Sequence, residues 1–514
     1  MKDYKYNMLN KVFIGVKEGK NFYIPIEEFN ELVYRHDSHL IHPKYEGKVK
    51  DLHELTFGAE WEACALVQYY LIETRHEMEQ EFKAKNPEYI PKTSLENVLE
   101  VKKSLDSIMP VRISVIEDEI TLHDQLAVIE EIGYYVSEKT KALLHPGTTS
   151  YDILDTARAY LFKNAWKTIR EEAVNTVKNL CTLAENSKNE KGEYLLQVGR
   201  THLQHTSPIL LGSFFANYAL RIAERVKLCD QYFSKLKGKI SGIVGTGAGI
   251  EEIIGSGRGL EFESRVLKKM GLVPDSCAFQ VTSKEVIADI GHGLSSLSVV
   301  MGNFADDVRI LYGSDIKELI SSASARRLGG SSADAAKDNP INYENVAGVV
   351  SLIKSNMSVL YDLIHSNLQR DLRGSVQARY VPQGPMTLIY ESLKRLNGKR
   401  VLPNLAFHVD NLEKNLKGIR EFPSEAMTAI LRGEGWSHST LGVGHDFVKK
   451  MSIIAKQEKK ELFSVCLNDN EFAKLYSELN DFKKLILNGK LENYLGFSQT
   501  RLIENINLAR NCLI

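Results

Sequence analysis

The sequence predicts an all-α protein of three helical domains, in which the central domain is a bundle of long helices. Proline is scarce, with 13 among 514 residues, and after Pro146 the next ones follow only at Pro208, Pro274, Pro340 and Pro382. Because proline inside a helix kinks or breaks it, the long stretches between these residues are where helices can run. A helix of thirty residues is about 45 Å long and cannot bury itself. Several such helices therefore imply a bundle.

Apolar residues in these stretches recur at the three- and four-residue spacing of a helix face. One set consists of Leu211, Phe214, Phe215, Tyr218, Ile222 and Val226. Another set consists of Val346, Val349, Val350, Ile353, Met357, Leu360 and Ile364. The two hydroxyl residues and the proline at 206–208 predict the start of the first of these helices. We find no strand-turn-strand signals in the middle of the chain, and one short strand is predicted at 21–26.

Changes in composition near 141–147 and 384–401 predict the domain boundaries. A chain of this length is too long for one compact domain. The predicted division is an N-terminal helical domain at 1–143, the central bundle at 144–388 and a C-terminal helical domain at 389–514.

Composition argues against several classes of partner. Lys and Arg total 65 against 66 Asp and Glu, so no global field attracts nucleic acid or an acidic membrane, and an anionic ligand must meet a local cluster of bases. The amino terminus lacks the pattern of a secretory signal, and no apolar run is long enough to span a bilayer. The six cysteines are scattered without a CxxC pair, which favours a reducing compartment. We therefore expect a cytoplasmic protein without metal or cofactor, and without nucleic-acid or membrane partners.

Reactive polar residues are concentrated in four short segments between the apolar stretches, at 121–124, 145–157, 199–204 and 329–345. Each has an ordinary interpretation when taken alone. A histidine beside a helix end is more often a capping or core residue than a catalyst, and a Gly-Ser run is usually a linker. The TSYD sequence at 149–152 can cap the next helix. A helix start also receives an anion, so these two roles are compatible.

Taken together, the segments resemble those of the fumarase/aspartase superfamily. The family loop GSSxMPxKxNP is matched by Gly330, Ser331, Ser332, Lys337, Asn339 and Pro340. The GRTHxQ segment is matched at 199–204, the TSxDxxDTA segment at 149–157, and a glycine-rich stretch of the family at 238–246. The matches extend from about 110 to 380, roughly half of the chain.

The resemblance implies an elimination that breaks a C–N or C–O bond beta to a carboxylate and releases fumarate. Such a reaction needs a base for the Cβ proton, stabilisation of the carbanion and an acid for the leaving atom. By the resemblance, Ser331 is the base and His202 is the acid, with Glu344 orienting the imidazole of His202. Serine is not intrinsically basic, so it needs a dry site and the positive charge of Lys337.

The same resemblance implies the residues that bind the two carboxylates of the substrate. These residues are Thr149, Ser150, Lys337 and Asn339, and Gln204 is a further substrate-binding residue.

Further segments resemble the adenylosuccinate lyases within this superfamily. The TLHD sequence at 121–124 is similar to their T-x-H-D, in which the histidine, here His123, assists catalysis. Arg370, Ser375 and Arg379 have the spacing of their phosphate-binding segment, and Arg suits phosphate recognition. The alternative for these residues is a basic, solvated helix face.

This closer resemblance implies a small anionic nucleotide as substrate: adenylosuccinate and the related imidazole-carboxamide intermediate of purine synthesis. It also implies a homotetramer with active sites shared between subunits. In the N-terminal domain, Lys44 and Tyr45 lie where the family has Arg-Tyr, a further phosphate contact.

The chain departs from the family pattern at three places. The loop has Asp334, Ala335 and Ala336 in place of Met-Pro-x, Leu203 stands where adenylosuccinate lyases usually have glycine, and the QVTSKE sequence at 280–285 has Lys-Glu in place of Arg-Asp. The loop thereby gains a negative charge and loses a stiffening proline.

Two alternatives follow from these departures. A lyase or cycloisomerase of the same fold, acting on another amino- or carboxy-substituted dicarboxylate, is favoured by Leu203 and the altered loop. A helical scaffold with a decayed site is the other alternative. The presence of Ser331, His202, Glu344 and Lys337 counts against decay.

Overall fold

The computed structural model describes residues 11–17, 20–25, 50–322, 331–334 and 336–513. Helices dominate this part of the chain, and the predicted all-α class is confirmed. The β-strands pair only in two-stranded ribbons within the described ranges.

The helices from the N-terminal region to the middle of the chain include four of more than twenty residues. In chain order they are α1 Phe57–Lys85, α2 Leu95–Ser104, α3 Pro110–Ile116, α4 Asp124–Gly133, α5 Glu138–Lys141, α6 Ser150–Glu185, α7 Leu211–Phe233, α8 Ala248–Ile254, α9 Gly259–Lys269 and α10 Glu285–Tyr312. The helices that follow are shorter: α11 Ile341–Ser355, α12 Met357–Asp362, α13 Arg373–Tyr380, α14 Gln383–Asn397, α15 Val409–Glu421, α16 Ser424–Gly433, α17 Gly444–Glu458, α18 Leu462–Leu467, α19 Asn470–Glu478, α20 Asp481–Leu487 and α21 Ser498–Cys512.

The strands are short and lie between helices. They are β1 Lys11–Lys17, β2 Lys20–Pro25, β3 Leu196–Thr201, β4 Gln204–Leu210, β5 Lys237–Gly238, β6 Val273–Pro274, β7 Leu319–Ser321, β8 Leu405–Phe407, β9 Ser437–His438 and β10 Gly442–Val443. The predicted strand at 21–26 is confirmed as β2, which pairs antiparallel with β1.

The predicted long helices form, but one is interrupted. The apolar set from Leu211 to Val226 lies on α7, where most of its members are buried. The set from Val346 to Ile364 is divided between α11 and α12, because Asn356 separates the two helices. The sequence predicted one helix here because the apolar residues keep the same helical spacing on both sides of Asn356.

The predicted helix start at 206–208 is wrong. These residues belong to β4, which pairs antiparallel with β3, and α7 begins only at Leu211. Pro208 is tolerated because each strand of a two-stranded ribbon is an edge strand, where a missing N–H costs little. The same hairpin corrects the expectation of no strand pair in the middle of the chain.

The chain divides into two compact units. Unit 1 contains 1–171, 228–296 and 351–391, and unit 2 contains 172–227, 297–350 and 392–514. The boundaries predicted from the sequence, at 143/144 and 388/389, are not tested by this division and stay a prediction.

Each unit has its own buried residues. In unit 1, α1 packs against α2, α3, α4 and α9. In unit 2, an apolar core contains Phe447 and Phe472, whose rings stack 5.6 Å apart, with Trp436 against the edge of Phe447.

Two features are absent from the described residues. No helix among them is sufficiently long and apolar to cross a membrane. No group of three His, Cys, Asp or Glu side chains among them is arranged to hold a metal ion.

Candidate active site

The start of α6 is built around the carboxylate of Asp152. Its Oδ2 accepts the N–H of Thr149 at 2.7 Å and that of Gly242 at 3.0 Å, while Oδ1 accepts the N–H of Ser241 at 3.0 Å and binds the ammonium of Lys239. The side chains of Asp152 and Lys239 are both 0% exposed. This ion pair therefore ties the segment that begins at Thr149 to the glycine-rich segment at 238–246.

The surroundings of this pair carry further charge. Glu263 accepts the N–H of Ile240 at 2.7 Å, and burial followed by the nearby charge of Asp152 raises the pKa of Glu263. A buried charge without partners is strongly unfavourable. Asp152 meets that requirement with one ammonium and three backbone N–H groups, which identifies it as a structural centre of the site.

Asp155 repeats this arrangement one turn further along α6. Its carboxylate accepts the backbone N–H and the hydroxyl of Thr282 at 2.8 and 2.9 Å, and it lies 2.6 Å from the ammonium of Lys284. Burial acts to raise its pKa, but Lys284 and these hydrogen bonds hold that pKa below the ordinary value. Lys284 is one of the departures from the family pattern, and here it supplies the cation for Asp155.

His145 is a residue of this region that the sequence analysis left without a role. Gln68 contacts it twice: the His145 N–H donates to Oε1 of Gln68 at 3.0 Å, and Nδ1 lies 2.9 Å from Nε2 of Gln68. Burial, opposed in part by the nearby carboxylate of Asp152, lowers the pKa of His145 to about 4. A neutral imidazole therefore faces the region of Asp152 at pH 7. Its φ of +56° is a rare backbone conformation in which histidine is enriched, but this is not visible from sequence.

His123 and Arg379, two predicted site residues, are brought together through Asp124. Nδ1 of His123 lies 3.3 Å from Oδ1 of Asp124, and the guanidinium of Arg379 lies 3.7 Å from Oδ2 of the same carboxylate. A π-helical turn at Glu117–Thr121 precedes them, and Leu122 follows with a φ of +50°. Such turns are frequent at functional sites.

Arg370 lies beside the start of α6. Its guanidinium carbon is 4.0 Å from the ring centroid of Tyr151, and one N–H donates to Oε1 of Gln280 at 2.9 Å. Its Nε is buried without a hydrogen-bond partner among the described residues. Buried donors are nearly always paired, so this N–H is available to a ligand.

For the other residues predicted to bind phosphate, the structure gives less information about the side chains. Ser375 lies in the first turn of α13, where its N–H donates to the carbonyl of Leu372 at 3.1 Å. Lys44 and Tyr45 lie outside the described residues.

His202 occupies the tip of the β3–β4 hairpin. Thr201 pairs with Gln204, so His202 and Leu203 form a two-residue turn, with φ values of +54° and +60°. Positive φ at both positions is the requirement of the favoured type I′ hairpin turn. Leu203 is 67% exposed, and it bears a strain that glycine would avoid. The turn presents His202 and Gln204 to the exterior of this chain.

The base of the hairpin is fixed by a buried carboxylate. Glu318 is fully buried and accepts hydrogen bonds from the guanidinium of Arg200 at 2.6 and 3.0 Å, from Gln197 at 2.7 Å and from Asn415 at 2.8 Å. The Arg of the GRTHxQ segment therefore positions the hairpin, while the histidine remains available for chemistry.

The loop segment at 331–340 has a local turn around Ser331. The Oγ of Ser331 accepts the N–H groups of Ala333 at 3.3 Å and Asp334 at 3.1 Å, and Oδ1 of Asp334 accepts the N–H of Ala336 at 2.9 Å. Two backbone donors directed at one hydroxyl oxygen would stabilise negative charge on that oxygen. The carboxylate of Asp334 is occupied by its own loop, although its side chain remains exposed.

A cavity of about 550 Å³ lies between this loop and the segment from Tyr312 to Ser321. Lys317, Lys337 and Asn339 line it. Lys317 has a φ of +46°, a strained conformation for a non-glycine residue.

Glu344 lies in the first turn of α11, half exposed, with the guanidinium of Arg309 at 3.9 Å. The described contacts of one chain do not join Glu344 to His202 or to Ser331. The expected pairing of Glu344 with His202 stays a prediction.

Comparisons with known proteins show which proteins this chain is similar to. A family model described as a lyase matches residues 79–354. The adenylosuccinate lyase of Pyrococcus horikoshii is 30% identical over 389 residues, which cover 75% of this chain and 81% of the relative. The adenylosuccinate lyase of Pyrococcus abyssi is 29% identical over 399 residues, which cover 77% of this chain and 83% of the relative.

Solved structures show the fold. A fumarate lyase from Mesorhizobium sp. BNC1 superposes with a TM-score of 0.71 at 20% identity, covering 89% of this chain and 97% of that structure. A beta-carboxy-cis,cis-muconate cycloisomerase from Acinetobacter calcoaceticus sp. ADP1 superposes with a TM-score of 0.69 at 18% identity. The superposition covers 92% of this chain and 99% of that structure.

Proposed function

The chain belongs to the lyase family, within the fumarase/aspartase superfamily, and we propose that it cleaves adenylosuccinate to AMP and fumarate. The observation that carries the nucleotide assignment is Arg370, whose buried Nε has no partner among the described residues. Its guanidinium lies over the ring of Tyr151 in the first turn of α6. A guanidinium N–H that is free to donate suits the phosphate of a nucleotide substrate.

In the proposed reaction, Ser331 removes the Cβ proton. The N–H groups of Ala333 and Asp334 would stabilise its alkoxide, as would the charge of Lys337. Lys337 and Asn339 would hold the carboxylate that receives the electron pair. Electrons then return from the carbanion to form the double bond of fumarate, and the C–N bond breaks.

The leaving nitrogen is protonated by His202 in this proposal, with Glu344 orienting the imidazole. His123, held by Asp124, assists at the nucleotide end, where Arg379 binds phosphate. The related imidazole-carboxamide intermediate carries the same succinyl group on nitrogen, so it would be a second substrate.

We also propose that the enzyme is a cytoplasmic homotetramer in which His202, Ser331 and His123 of different chains complete each site. The hairpin tip supports this, because it presents the proposed acid His202 to the exterior of the chain. The free cysteines of the described residues are compatible with a reducing compartment.

The activity is tested with purified protein and adenylosuccinate, following fumarate and AMP together. Equal amounts of both products are expected. Absence of both, with turnover of another amino- or carboxy-substituted dicarboxylate, would favour the alternative lyase or cycloisomerase, which Leu203 and the Asp334 loop support.

The assembly is tested by light scattering and by mixing variants. His202→Ala and Ser331→Ala proteins are each expected to be inactive, and exchange of subunits between them should restore part of the activity, since some mixed sites would contain neither substitution. A monomer with full activity would contradict the shared site.

A further inference from the structure

The C-terminal end of the loop is held by a cluster of three oxygen-bearing side chains. Oδ2 of Asp338 accepts the hydroxyl of Tyr312 at 2.5 Å and that of Ser321 at 3.1 Å, and the two hydroxyl oxygens lie 3.0 Å apart. Tyr312 is the last residue of α10 and Ser321 is the last residue of β7. The loop is therefore attached at Asp338 to the ends of two regular elements.

The remainder of the described loop has a different kind of support. The hydroxyl of Ser331 and the carboxylate of Asp334 bond to amides of the loop itself. Asp338 instead bonds to residues 17 and 26 positions away in the sequence. The loop consequently has a locally folded end near Ser331 and an externally attached end at Asp338.

Asp338 lies between the two residues proposed to bind carboxylate. Consecutive Cα atoms are only about 3.8 Å apart, so attachment of Asp338 restricts where Lys337 and Asn339 can be. All three line the cavity of about 550 Å³. The two hydroxyl donors also satisfy a negative charge that would otherwise face an anionic substrate.

The phenol of Tyr312 is suited to this role. Burial, followed by its hydrogen bond to Asp338, raises the pKa of Tyr312 to about 12. The phenol therefore remains protonated and donates its hydrogen at every pH at which the enzyme would work.

We propose that Asp338 is a positioning residue for the dicarboxylate end of the substrate, acting through Lys337 and Asn339 from its attachment to Tyr312 and Ser321. The inference rests on the proposed function. It assigns a role to a residue that the sequence analysis did not single out.

The experiment compares fumarate and AMP binding in full-length Asp338→Ala and wild-type protein by calorimetry, with thermal unfolding followed in parallel. Loss of hydrogen bonds to a charged group should weaken fumarate binding about tenfold. AMP binding should change less than about twofold, because the phosphate contacts lie elsewhere in the chain. A general loss of structure would weaken both ligands.

Two further variants separate positioning from folding. Asp338→Asn should recover most of the fumarate affinity, because both hydroxyls donate to the single oxygen Oδ2 and an amide oxygen can accept both. Tyr312→Phe removes one donor at nearly constant volume, and it should weaken fumarate binding about threefold. Combined with Asp338→Ala, it should add almost nothing.

Equal fumarate affinity in wild type, Asp338→Ala and Tyr312→Phe overturns the inference, and so does an equal loss for fumarate and AMP. If Asp338→Ala does not fold, Tyr312→Phe and Asp338→Asn decide the matter. Calorimetry needs no turnover. If the protein binds fumarate but does not convert adenylosuccinate, the proposed function is rejected. The fumarate affinities of the Asp338 variants and the wild type can still be compared in that case.

Discussion

Asp152 and Asp334 are both carboxylates in segments proposed to surround the substrate, but they are held in different ways. Asp152 is fully buried and bonds to the N–H of Thr149 and, from 87 to 90 residues away in the sequence, to the ammonium of Lys239 and the N–H groups of Ser241 and Gly242. Asp334 is exposed, and its carboxylate bonds to one N–H two residues away. The segment around Asp152 is thus fixed by the fold, whereas the turn around Asp334 is fixed mainly by itself.

This difference has an energetic consequence. Removing one partner of a buried ion pair costs about 3–5 kcal/mol, whereas a single exposed hydrogen bond contributes about 1 kcal/mol. Substitutions around Asp152 should therefore act on stability, and substitutions in the loop should act on catalysis. Four predictions test this contrast, beginning with the largest effect.

Ser331→Ala is expected to lower kcat by roughly 10²–10⁴-fold, the usual contribution of a positioned base, and to leave KM for adenylosuccinate nearly unchanged. The melting temperature should not move, because within the described part of the chain the hydroxyl bonds only to amides of its own loop. Steady-state kinetics and thermal unfolding measure both. Ser332→Ala is the control, and it should lower kcat much less than Ser331→Ala. Near-normal kcat in Ser331→Ala would reassign the base, with Asp334 as the first candidate.

Asp152→Ala should reduce the free energy of unfolding by about 3–5 kcal/mol, because it leaves the buried ammonium of Lys239 without its partner. Urea unfolding at pH 7 measures the loss. The double variant Asp152→Asn with Lys239→Met removes both charges and keeps an acceptor for the amides, so it should regain part of that stability. A loss below about 1 kcal/mol would remove the distinction between the two regions.

Arg370→Met should raise KM for adenylosuccinate about ten- to a hundredfold, since each charge-assisted hydrogen bond to phosphate is worth roughly 1.5–3 kcal/mol. The same range is expected for Arg379→Met. Arg373→Met provides a matched control, because Arg373 pairs only with the neighbouring Asp371 in the described contacts and is exposed. The KM of Arg373→Met should stay within about twofold of the wild-type value. Equal changes in all three variants would indicate a general effect of surface charge.

Acid should destabilise the protein partly through His145. Its pKa in the folded state is about 4, below the unfolded value of about 6.5, so the unfolded chain binds the proton first as pH falls. The corresponding stability is complete above pH 6.5 and is lost progressively towards pH 4. It amounts to about 2 kcal/mol between pH 7.5 and 5. His145→Asn, which tolerates the positive φ, should show a shallower loss in urea unfolding over this range. An unchanged slope would exclude His145 as the cause.

Local patterns in the sequence were sufficient to predict the helical class, most of the long helices and the segments that carry reactive residues. Apolar spacing and proline position act within a few turns of one helix, so they can be recognised without knowing the partners. The same signals were wrong at 206–208, where a hydroxyl-Pro pattern belongs to an edge strand, because pairing with β3 overrides the local preference.

The sequence by itself determined which residue types are present for an elimination: Ser331, His202, Glu344 and Lys337 are identified by their order and motif. Only the tertiary structure decided which carboxylates are structural and which line a cavity. The ammonium of Lys239 lies 87 residues from Asp152 in the sequence, and the hydroxyl of Tyr312 lies 26 residues from Asp338. No local pattern encodes such pairings. Burial explains the difference, because a carboxylate that is removed from water, such as Asp152, needs hydrogen-bond partners for its charge. An exposed carboxylate such as Asp334 is solvated by water and can bond to its own loop alone.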